Sequence, residues 1–555
     1  MRTDPGSAGP ARGRAWRHAN PWVATGLILA VILPLFVLGL GDRNIWIPLE
    51  ARYALVAREM WEGGHWILPR LGGRVYSDKP PLFFWAIALV SALGSGFTEW
   101  TVRLPSAVAA VLTCLVTWRI GARLFSPDAG LVAALVLATS AGFFWSGREA
   151  LPDMLLTLWI TGACWALWEW QVERKRVGAA IAGLCMGLAT LTKGPVGFLL
   201  PMLTALLYRL VRRDWREVPC REVLVCVASF LVTALAWYLP AVHYGGLTYA
   251  RETLLHHSVE RYFRAWEHTA PFYFYLGAFP AEFMPWTLFL LPAFIAGAVR
   301  PDREDVRGWW FAVGWLITTL LFFSASTGKR DVYMLPAFPA AALLVGWVWS
   351  RWWAGVSGGI GSWGMVIPAL LLALGSWGVA AGLWSGARAP SKGSLLLPTT
   401  PEARLWAVLL LGLAGLLLAG AAITRQPGWL FGCVVGCAWV AMLAGVLLVY
   451  TPQFNRQNPI KAFAQAVRVQ VEPGNAVYVC GPTNDLALSF NLGRFLPSLP
   501  AEADIVRYLS SGDRGYCLMD GRLYARISEL TGRRFPVLAH QEFERSALLL
   551  VSRQP

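Results

Sequence analysis

Charge is scarce in this chain. Of its 555 residues 15% are Asp, Glu, Lys or Arg and 56% are hydrophobic, and the mean hydropathy is +0.49. That balance excludes an ordinary soluble domain and fits a polytopic membrane protein. Acids are the scarcer sign, 33 against 48 Lys and Arg, which leaves a net charge of +15. The excess does not indicate a nucleic-acid partner. The basic residues fall in short loops between apolar spans, where positive-inside bias puts them, and part of the charge suits anionic lipid headgroups. Metal signatures are missing. The nine cysteines form no CxxC and no Cys/His cluster, so no zinc site is indicated. Cys114, Cys164, Cys185, Cys226, Cys433 and Cys437 lie in apolar spans and read as small core residues. No Walker motif, dinucleotide-binding glycine fingerprint or nucleophile elbow occurs, so no nucleotide is expected. The apolar run 21–40 leads into LGLGDRN without a small-residue cleavage site. It reads as an uncleaved first helix behind a basic cytoplasmic tail, residues 1–20.

What the chain does have is a series of apolar spans, at 22–40, 80–96, 103–121, 128–147, 154–172, 177–193, 195–211, 222–243, 274–299, 308–325, 331–350, 363–383, 404–424 and 428–450. Each is near the roughly 20 residues of a bilayer crossing. Thirty Trp and fifteen Tyr suit two wide interfaces. The basic loops 119–123, 173–176, 209–221 and 300–307 belong inside. The stretches 147–153, 192–195, 244–272 and 326–331 then fall outside. The alternation fails once, because two crossings between residue 41 and Arg119 would leave Arg119 outside. The span 80–96 is short, begins Pro80-Pro81 and is aromatic, so it is expected not to cross, and either to lie along the interface or to dip in and return. Thirteen crossings and an outside C-terminus follow.

After Tyr450 the composition changes. The 460–471 stretch is helix-patterned, with apolar residues at 460, 463, 464, 467 and 471. AVYVCG (476–481), GYCLMDG (515–521) and ALLLVS (547–552) have strand length. The expected architecture is therefore a polytopic α-helical membrane domain, 21–450, and a small α/β domain, 451–555. Cys480 and Cys517 lie in two of these strands, either as a disulfide or as buried thiols.

The 41–81 loop holds the densest set of ionisable residues beside the first span. Tyr53, Val56, Ala57, Met60 and Trp61 follow the i, i+3, i+4, i+7, i+8 pattern of an amphipathic helix. Glu50 stands at its N-terminal end, either as a helix-dipole cap or as a functional acid. Asp78-Lys79 precede two prolines that restrict the backbone where the chain meets lipid again. Asp153, beside Arg148 and Glu149, sits at the outer edge of a span, a place where a carboxylate is a functional candidate. Lys193 lies at an outer helix break. Lys329, Arg330 and Tyr333 form a further outer cluster, and His256, His257, Glu260, Arg261, Arg264 and His268 another. Cations from several outer segments suit a phosphate or pyrophosphate headgroup, and an acid among them suits general-base work on a hydroxyl.

The segment PLEARYALVAREMWEGGHWILPRLGGRVYSDKPPLFFW resembles the first outer loop of bacterial lipid-to-lipid glycosyltransferases of the GT-C class. It is most similar to the aminoarabinose transferases that modify lipid A, relatives of the protein O-mannosyltransferases. RLPSA at 103–107, Asp153, LTKGP at 191–195, APFYFYL at 270–276 with Pro285-Trp286, and Lys329 to Pro336 match further landmarks in the same order. The resemblance implies a bacterial inner-membrane enzyme with a periplasmic active site and C-terminal domain. It implies inverting transfer of a sugar from a polyprenyl-phosphate donor to a lipid or protein acceptor. Arg52, Tyr53, Lys79, Lys193 and Tyr333 would shape the donor pocket, with Arg148 and Lys329 beside it. Glu50 and Asp153 would be the catalytic acids, and Asp78 the residue to help hold a divalent metal.

One departure stands out. The family pattern has Asp where this chain has Leu49, and leucine neither accepts a proton nor ligates a metal. His256 and His257 are also offset from the Arg261-Tyr262 anchor. Two rival readings follow: a catalytically impaired homologue that binds lipid-linked sugars, and a transporter of such lipids. A transporter calls for polar or broken helices near the midplane in both halves, whereas here the ionisable residues gather at one face.

Overall fold

A computed structural model describes residues 21–213, 220–253, 261–263, 268–299, 305–356, 359–385, 400–472, 475–481, 485–511, 515–543 and 546–553. The basic tail 1–20 and His256, His257, Glu260 and Arg264 lie outside the described residues. After α1 (Pro21–Val37) come α2 (Pro48–Gly63), a hairpin of β1 (Arg70–Leu71) and β2 (Arg74–Val75), and α3 (Leu82–Leu93). Pro48 occupies the first turn of α2, where its fixed φ suits the helix and its missing N–H costs nothing. The expected amphipathic stripe buries Tyr53, Val56, Ala57 and Met60, whereas Trp61 is 47% exposed. With 12 residues, α3 is about 18 Å long, short of the ~30 Å apolar core of a bilayer.

The membrane domain continues as α4 (Glu99–Leu124), α5 (Pro127–Ala138), α6 (Ala141–Ser146), α7 (Pro152–Gln171), α8 (Val177–Lys193), α9 (Val196–Arg212) and α10 (Cys220–Arg251). The short α11 (Arg261–Phe263) leads to α12 (Phe274–Glu282), α13 (Thr287–Val299), α14 (Val306–Ala325) and a 3-10 turn at Asp331–Ala337. Four further helices follow: α15 (Phe338–Trp353), α16 (Gly359–Trp384), α17 (Pro401–Thr424) and α18 (Pro427–Ala444). Among the described residues seven helices are long and apolar enough to cross a membrane, or up to eight if a bent pair counts as one span. The chain is a multi-pass membrane protein.

Two expected spans are broken. The stretch 128–147 is split between α5 and α6 at Thr139-Ser140, whose hydroxyls donate back to Leu135 O and Val136 O at 2.6 and 2.7 Å. The stretch 274–299 is split into α12 and α13, which meet at 107°. Pro285 in that break has no N–H to continue a helix. The breaks are stitched together. Trp286 Nε1 donates to Thr139 Oγ1 at 3.0 Å, and Ala141 N donates to Met284 O at 2.9 Å. Each break thus supplies partners for the other's polar groups, the condition for irregular backbone at membrane depth.

The last span runs through a π-helical turn, Gly445–Tyr450, into α19 (Thr451–Gln457). Beyond it lie α20 (Ile460–Gln470), β3 (Val477–Cys480), α21 (Asp485–Leu492), β4 (Ser498–Leu499), α22 (Glu502–Ser510), β5 (Tyr516–Asp520), α23 (Gly521–Thr531), β6 (Val537–Phe543) and β7 (Ser546–Ser552). The sheet order is β4-β3-β5-β7-β6. The first three strands are parallel, and β7 pairs antiparallel with both β5 and β6. Ile460, Phe463 and Val467 of α20 cover one face, on Val479, Leu518 and Leu550. Ile505, Leu509 and Ile527 cover the other, on Cys480, Cys517, Met519 and Val551. Cys517 stands opposite Tyr478 and Cys480 opposite Met519, both as buried thiols.

This domain grips the 41–81 loop. Asn44 N donates to Asn455 Oδ1 at 2.9 Å and Asn44 Nδ2 to Asn458 O at 3.0 Å. Asn491 Nδ2 donates to Ile45 O at 3.2 Å, and Trp46 stacks on Phe543 with centroids 5.1 Å apart. Gly72 lies so close to Phe495 that a Cβ there would come within 2.4 Å of the ring.

Beneath α2 lies a buried ion cluster. Glu50 has no exposed surface. Its carboxylate accepts from Arg103 Nε and Nη2 at 2.9 and 3.0 Å, from Arg43 Nη2 at 3.0 Å and from Ala150 N at 3.0 Å. Arg103 Nη1 also donates to Leu40 O and Arg43 O at 3.1 and 2.7 Å. Burial works to raise the Glu50 pKa, but the charges of Arg103 and Arg43 and the Ala150 N–H hold it at about 2. Glu149 shares Arg43 yet behaves oppositely: burial and the Glu50 charge push its pKa up to about 7, against the pull of Arg43.

Two outcomes follow for purified protein in detergent. Glu50→Gln strands two buried guanidiniums, so stability should fall by about 3–5 kcal/mol, read as a lower thermal unfolding midpoint; a normally folded variant that loses only transfer would make Glu50 a chemical acid instead. Glu149 holds its proton more tightly when folded, so its contribution to stability is present at low pH and lost as pH rises through about 7. Glu149→Gln should therefore raise the midpoint at pH 8 and leave it nearly unchanged at pH 4.

Candidate active site

One cavity of about 460 Å³ opens beside α2. Arg52, Tyr53 and Leu49 enter it from the first turn of α2, and Tyr76, Asp78 and Lys79 from the strand leading to α3. Asp153 comes from the first turn of α7, Lys193 from the last of α8, and Val196 and Leu199 from the start of α9. The far wall is Tyr262, Phe263, His268, Phe322, Phe323, Ser326, Gly328, Arg330 and Tyr333. Seven of the residues expected from sequence thus converge: Arg52, Tyr53, Asp78, Lys79, Asp153, Lys193 and Tyr333.

Local sequence explains the convergence. Pro152 starts α7 so that Asp153 points out of its first turn. Gly194, at φ +85, is in a backbone state that L side chains rarely adopt. It ends α8 one residue after Lys193 and turns the chain into Pro195. Lys193 Nζ pairs with the Asp153 carboxylate and lies 4.3 Å from the centre of the Tyr333 ring. Arg52 faces Asp78 at 3.9 Å, and Lys79 Nζ donates to Asp78 O at 2.9 Å. Tyr275 OH donates to Arg330 O at 3.2 Å, and Lys329 N donates to His268 O at 2.9 Å.

Three candidates lie elsewhere. Glu50 faces away from the cavity into the ion cluster. Arg148 is buried and donates to Leu35 O and Leu38 O at 2.6 and 2.7 Å, a cation neutralising the C-terminal carbonyls of α1. Lys329 is buried against Ser326 O, and burial lowers its pKa. Its neighbour Arg330 lines the cavity instead. Arg330 has extended backbone, φ −140 and ψ 145, in which successive side chains point to opposite sides; the sequence marks the pair but not which member turns inward. Tyr76, Phe263, Phe322 and Phe323 are not among the expected residues, since nothing separates them from interface aromatics in a bare sequence.

Both cavity carboxylates are matched to a cation, and Arg52, Lys79, Lys193 and Arg330 outnumber Asp78 and Asp153. The chamber is therefore built for an anion. Among the described residues no three His, Cys, Asp or Glu gather as a metal site. Among the described residues Asp78 faces Arg52 rather than a second acid. With Leu49 in the wall, one side of the chamber is apolar, continued by Val196, Leu199, Phe322 and Phe323.

Residues 78–238 match the model of the dolichyl-phosphate-mannose-protein mannosyltransferase family. The chain is similar to the undecaprenyl phosphate-alpha-4-amino-4-deoxy-L-arabinose arabinosyl transferase of Pseudomonas aeruginosa (strain LESB58), with 34% identity over 326 residues, 58% of each chain. The match thus spans a little over half of that relative's length. To the protein of that name in Edwardsiella ictaluri (strain 93-146) it is 29% identical over 521 residues, 89% of this chain and 88% of the relative. The fold is that of ArnT from Cupriavidus metallidurans in its crystal structure with undecaprenyl phosphate. The TM-score is 0.79 and the identity 22%, covering 96% of this chain and 98% of that one. The Arg-Tyr, Asp-Lys-Pro-Pro and Thr-Lys-Gly-Pro landmarks thus surround one cationic chamber, in a chain that shares the ArnT fold and is similar in sequence to the aminoarabinose transferases.

Proposed function

We propose that the protein is an inverting glycosyltransferase. It moves a sugar from a polyprenyl-phosphate donor to a lipid acceptor of the lipid A kind, or to a protein, at the periplasmic face of a bacterial inner membrane. The observation that carries the reading is the cationic chamber in which Arg52, Lys79, Lys193 and Arg330 surround Asp153 and Tyr333. The relatives named for undecaprenyl-phosphate aminoarabinose transfer support the donor class. In this reading residues 21–450 form the catalytic membrane domain and 451–555 a periplasmic domain. The shorter apolar helices complete thirteen crossings, with α3 lying along the outer interface. No nucleotide takes part.

The reaction breaks the bond between the anomeric carbon and the donor phosphate oxygen while an acceptor oxygen attacks the opposite face of that carbon. Polyprenyl phosphate leaves carrying the electron pair. Arg52, Lys79 and Arg330 hold the phosphate and offset its growing charge, the positioned electrostatic help that matters most in such a step. Lys193 is held against Asp153 and under the Tyr333 ring, where it neutralises either the carboxylate or the leaving oxygen. For a hydroxyl acceptor Asp153 takes the proton. A phosphate acceptor arrives as an anion and gives up none, which is the simpler chemistry for a chamber walled by Leu49.

Leu49 favours a second reading specifically, a homologue that binds lipid-linked sugar without transferring it. One assay of the purified protein separates the two. Arg52→Ala and Lys79→Ala should each weaken undecaprenyl phosphate binding about tenfold or more, the worth of a charge-assisted hydrogen bond. Asp153→Asn should lower transfer to a hydroxyl acceptor by about 100-fold or more with donor binding little changed. Tight donor binding with no transfer to any acceptor, together with unaltered envelope lipids and glycoproteins by mass spectrometry when the gene is deleted, would reject the transferase reading in favour of the binding one.

A further inference from the structure

Helix α2 carries cavity residues on one face, yet its opposite face is buried too. Leu49, Arg52 and Tyr53 turn to the cavity. At about 100° per residue, Ala51, Ala54 and Arg58 fall on the far side, and all three are buried. Helix α21 of the C-terminal domain packs against α2. The Arg58 guanidinium sits between two rings, 5.3 Å from the centroid of Phe97 and 5.3 Å from that of Phe490 in α21. Nη1 donates to Phe490 O and Nη2 to Phe97 O, each at 3.4 Å.

A buried cation is a costly way to fill this space. Arg58 is only 9% exposed, its hydrogen bonds are long, and among the described residues the charge of Glu62 favours it against repulsion from Arg468. A leucine or methionine would occupy the site without the desolvation penalty. What the guanidinium adds is direction. Its planar fork and its two ring faces fix the angle between α2, the turn before α4, and α21. A helix turns as one body, and a roll of about 10° about its axis moves a side-chain end ~6 Å from that axis by about 1 Å. We propose that Arg58 is a positioning residue through which the C-terminal domain sets the roll of α2, and with it the placement of Arg52 and Tyr53 in the cavity. The inference rests on the transferase reading for its kinetic consequence and on geometry alone for its structural one.

The test uses the full-length protein, with wild type, Arg58→Leu and Arg58→Lys assayed for transfer from the polyprenyl-phosphate donor and for hydrogen–deuterium exchange over residues 48–63. Arg58→Leu is expected to keep or raise the unfolding midpoint, to lower kcat about 10- to 100-fold with donor KM raised by less than the roughly tenfold expected of Arg52→Ala, and to speed exchange across α2. Arg58→Lys keeps the charge without the fork and is expected to restore kcat only in part. Wild-type kcat and wild-type exchange in Arg58→Leu would overturn the proposal. So would kcat and unfolding midpoint falling together, which is the mark of simple filling. If the wild type itself transfers nothing, the transferase reading fails, and the exchange arm still decides: faster exchange keeps the clamp, unchanged exchange removes it.

Discussion

The carboxylate of Glu50, wholly removed from water, is the point on which the rest of the site depends. It is bound by two guanidiniums and a backbone N–H, and those partners come from three places: Arg103 in α4, Arg43 in the loop after α1, and Ala150 in the turn before α7. Desolvating one anion and two cations is expensive, and a buried ionic cluster is weak evidence for stability as such. What it supplies is register. With four hydrogen bonds of fixed direction, the first turn of α2 is anchored at one depth against the membrane domain. Arg52 and Tyr53, two and three residues on, and Asp153, three residues beyond Ala150, then face the same chamber.

That arrangement also explains why Leu49 is not repaired by its neighbour. In a helix adjacent residues point about 100° apart, so the carboxylate of Glu50 and the side chain at 49 serve different spaces. Glu50 cannot swing into the cavity without leaving two guanidiniums unpaired. Asp153 is therefore the acid that remains near the cations on the α7 side, and Asp78 the one on the α3 side. Neither stands apart from a cation. A chamber with matched acids and surplus cations suits a reaction in which the main task is to hold and release a phosphate.

Much of this was legible in the sequence, for physical reasons that differ from element to element. The amphipathic repeat of Tyr53, Val56, Ala57 and Met60 has the helical period whatever the helix lies on, so α2 was foreseen. The parallel-strand cores around Val479 and Leu518 are continuous apolar runs, so β3 and β5 were foreseen as well. Strand β6 was not, because VLAHQEF alternates weakly and lies at the sheet edge, where pairing with β7 rather than burial makes it a strand. The breaks at Thr139-Ser140 and Phe283–Trp286 escaped notice because each segment is apolar throughout; only the hydrogen bond between Trp286 and Thr139 shows why two interruptions are tolerated together. Hydropathy also cannot tell a cation that faces a cavity from one that caps a helix. Lys193 and Arg148 look alike in sequence, and one meets Asp153 while the other ends on the carbonyls of α1.

The back of α2 carries the same lesson a step further. A helix lying on a membrane needs only one buried stripe, and its other side belongs to water. Here Ala51, Ala54 and Arg58 are as buried as the stripe, so the C-terminal domain has turned a surface helix into an internal one. An internal helix held on its flank by Glu50 and from behind by Arg58 has little freedom to roll, and side chains on such an element keep their aim far better than side chains on a loop. Loop 41–81 is dense in ionisable residues and carries a single helical repeat. It becomes rigid where the chamber needs it because folded protein encloses it on both sides, which gives the domain after Tyr450 a physical reason to accompany a membrane-embedded site.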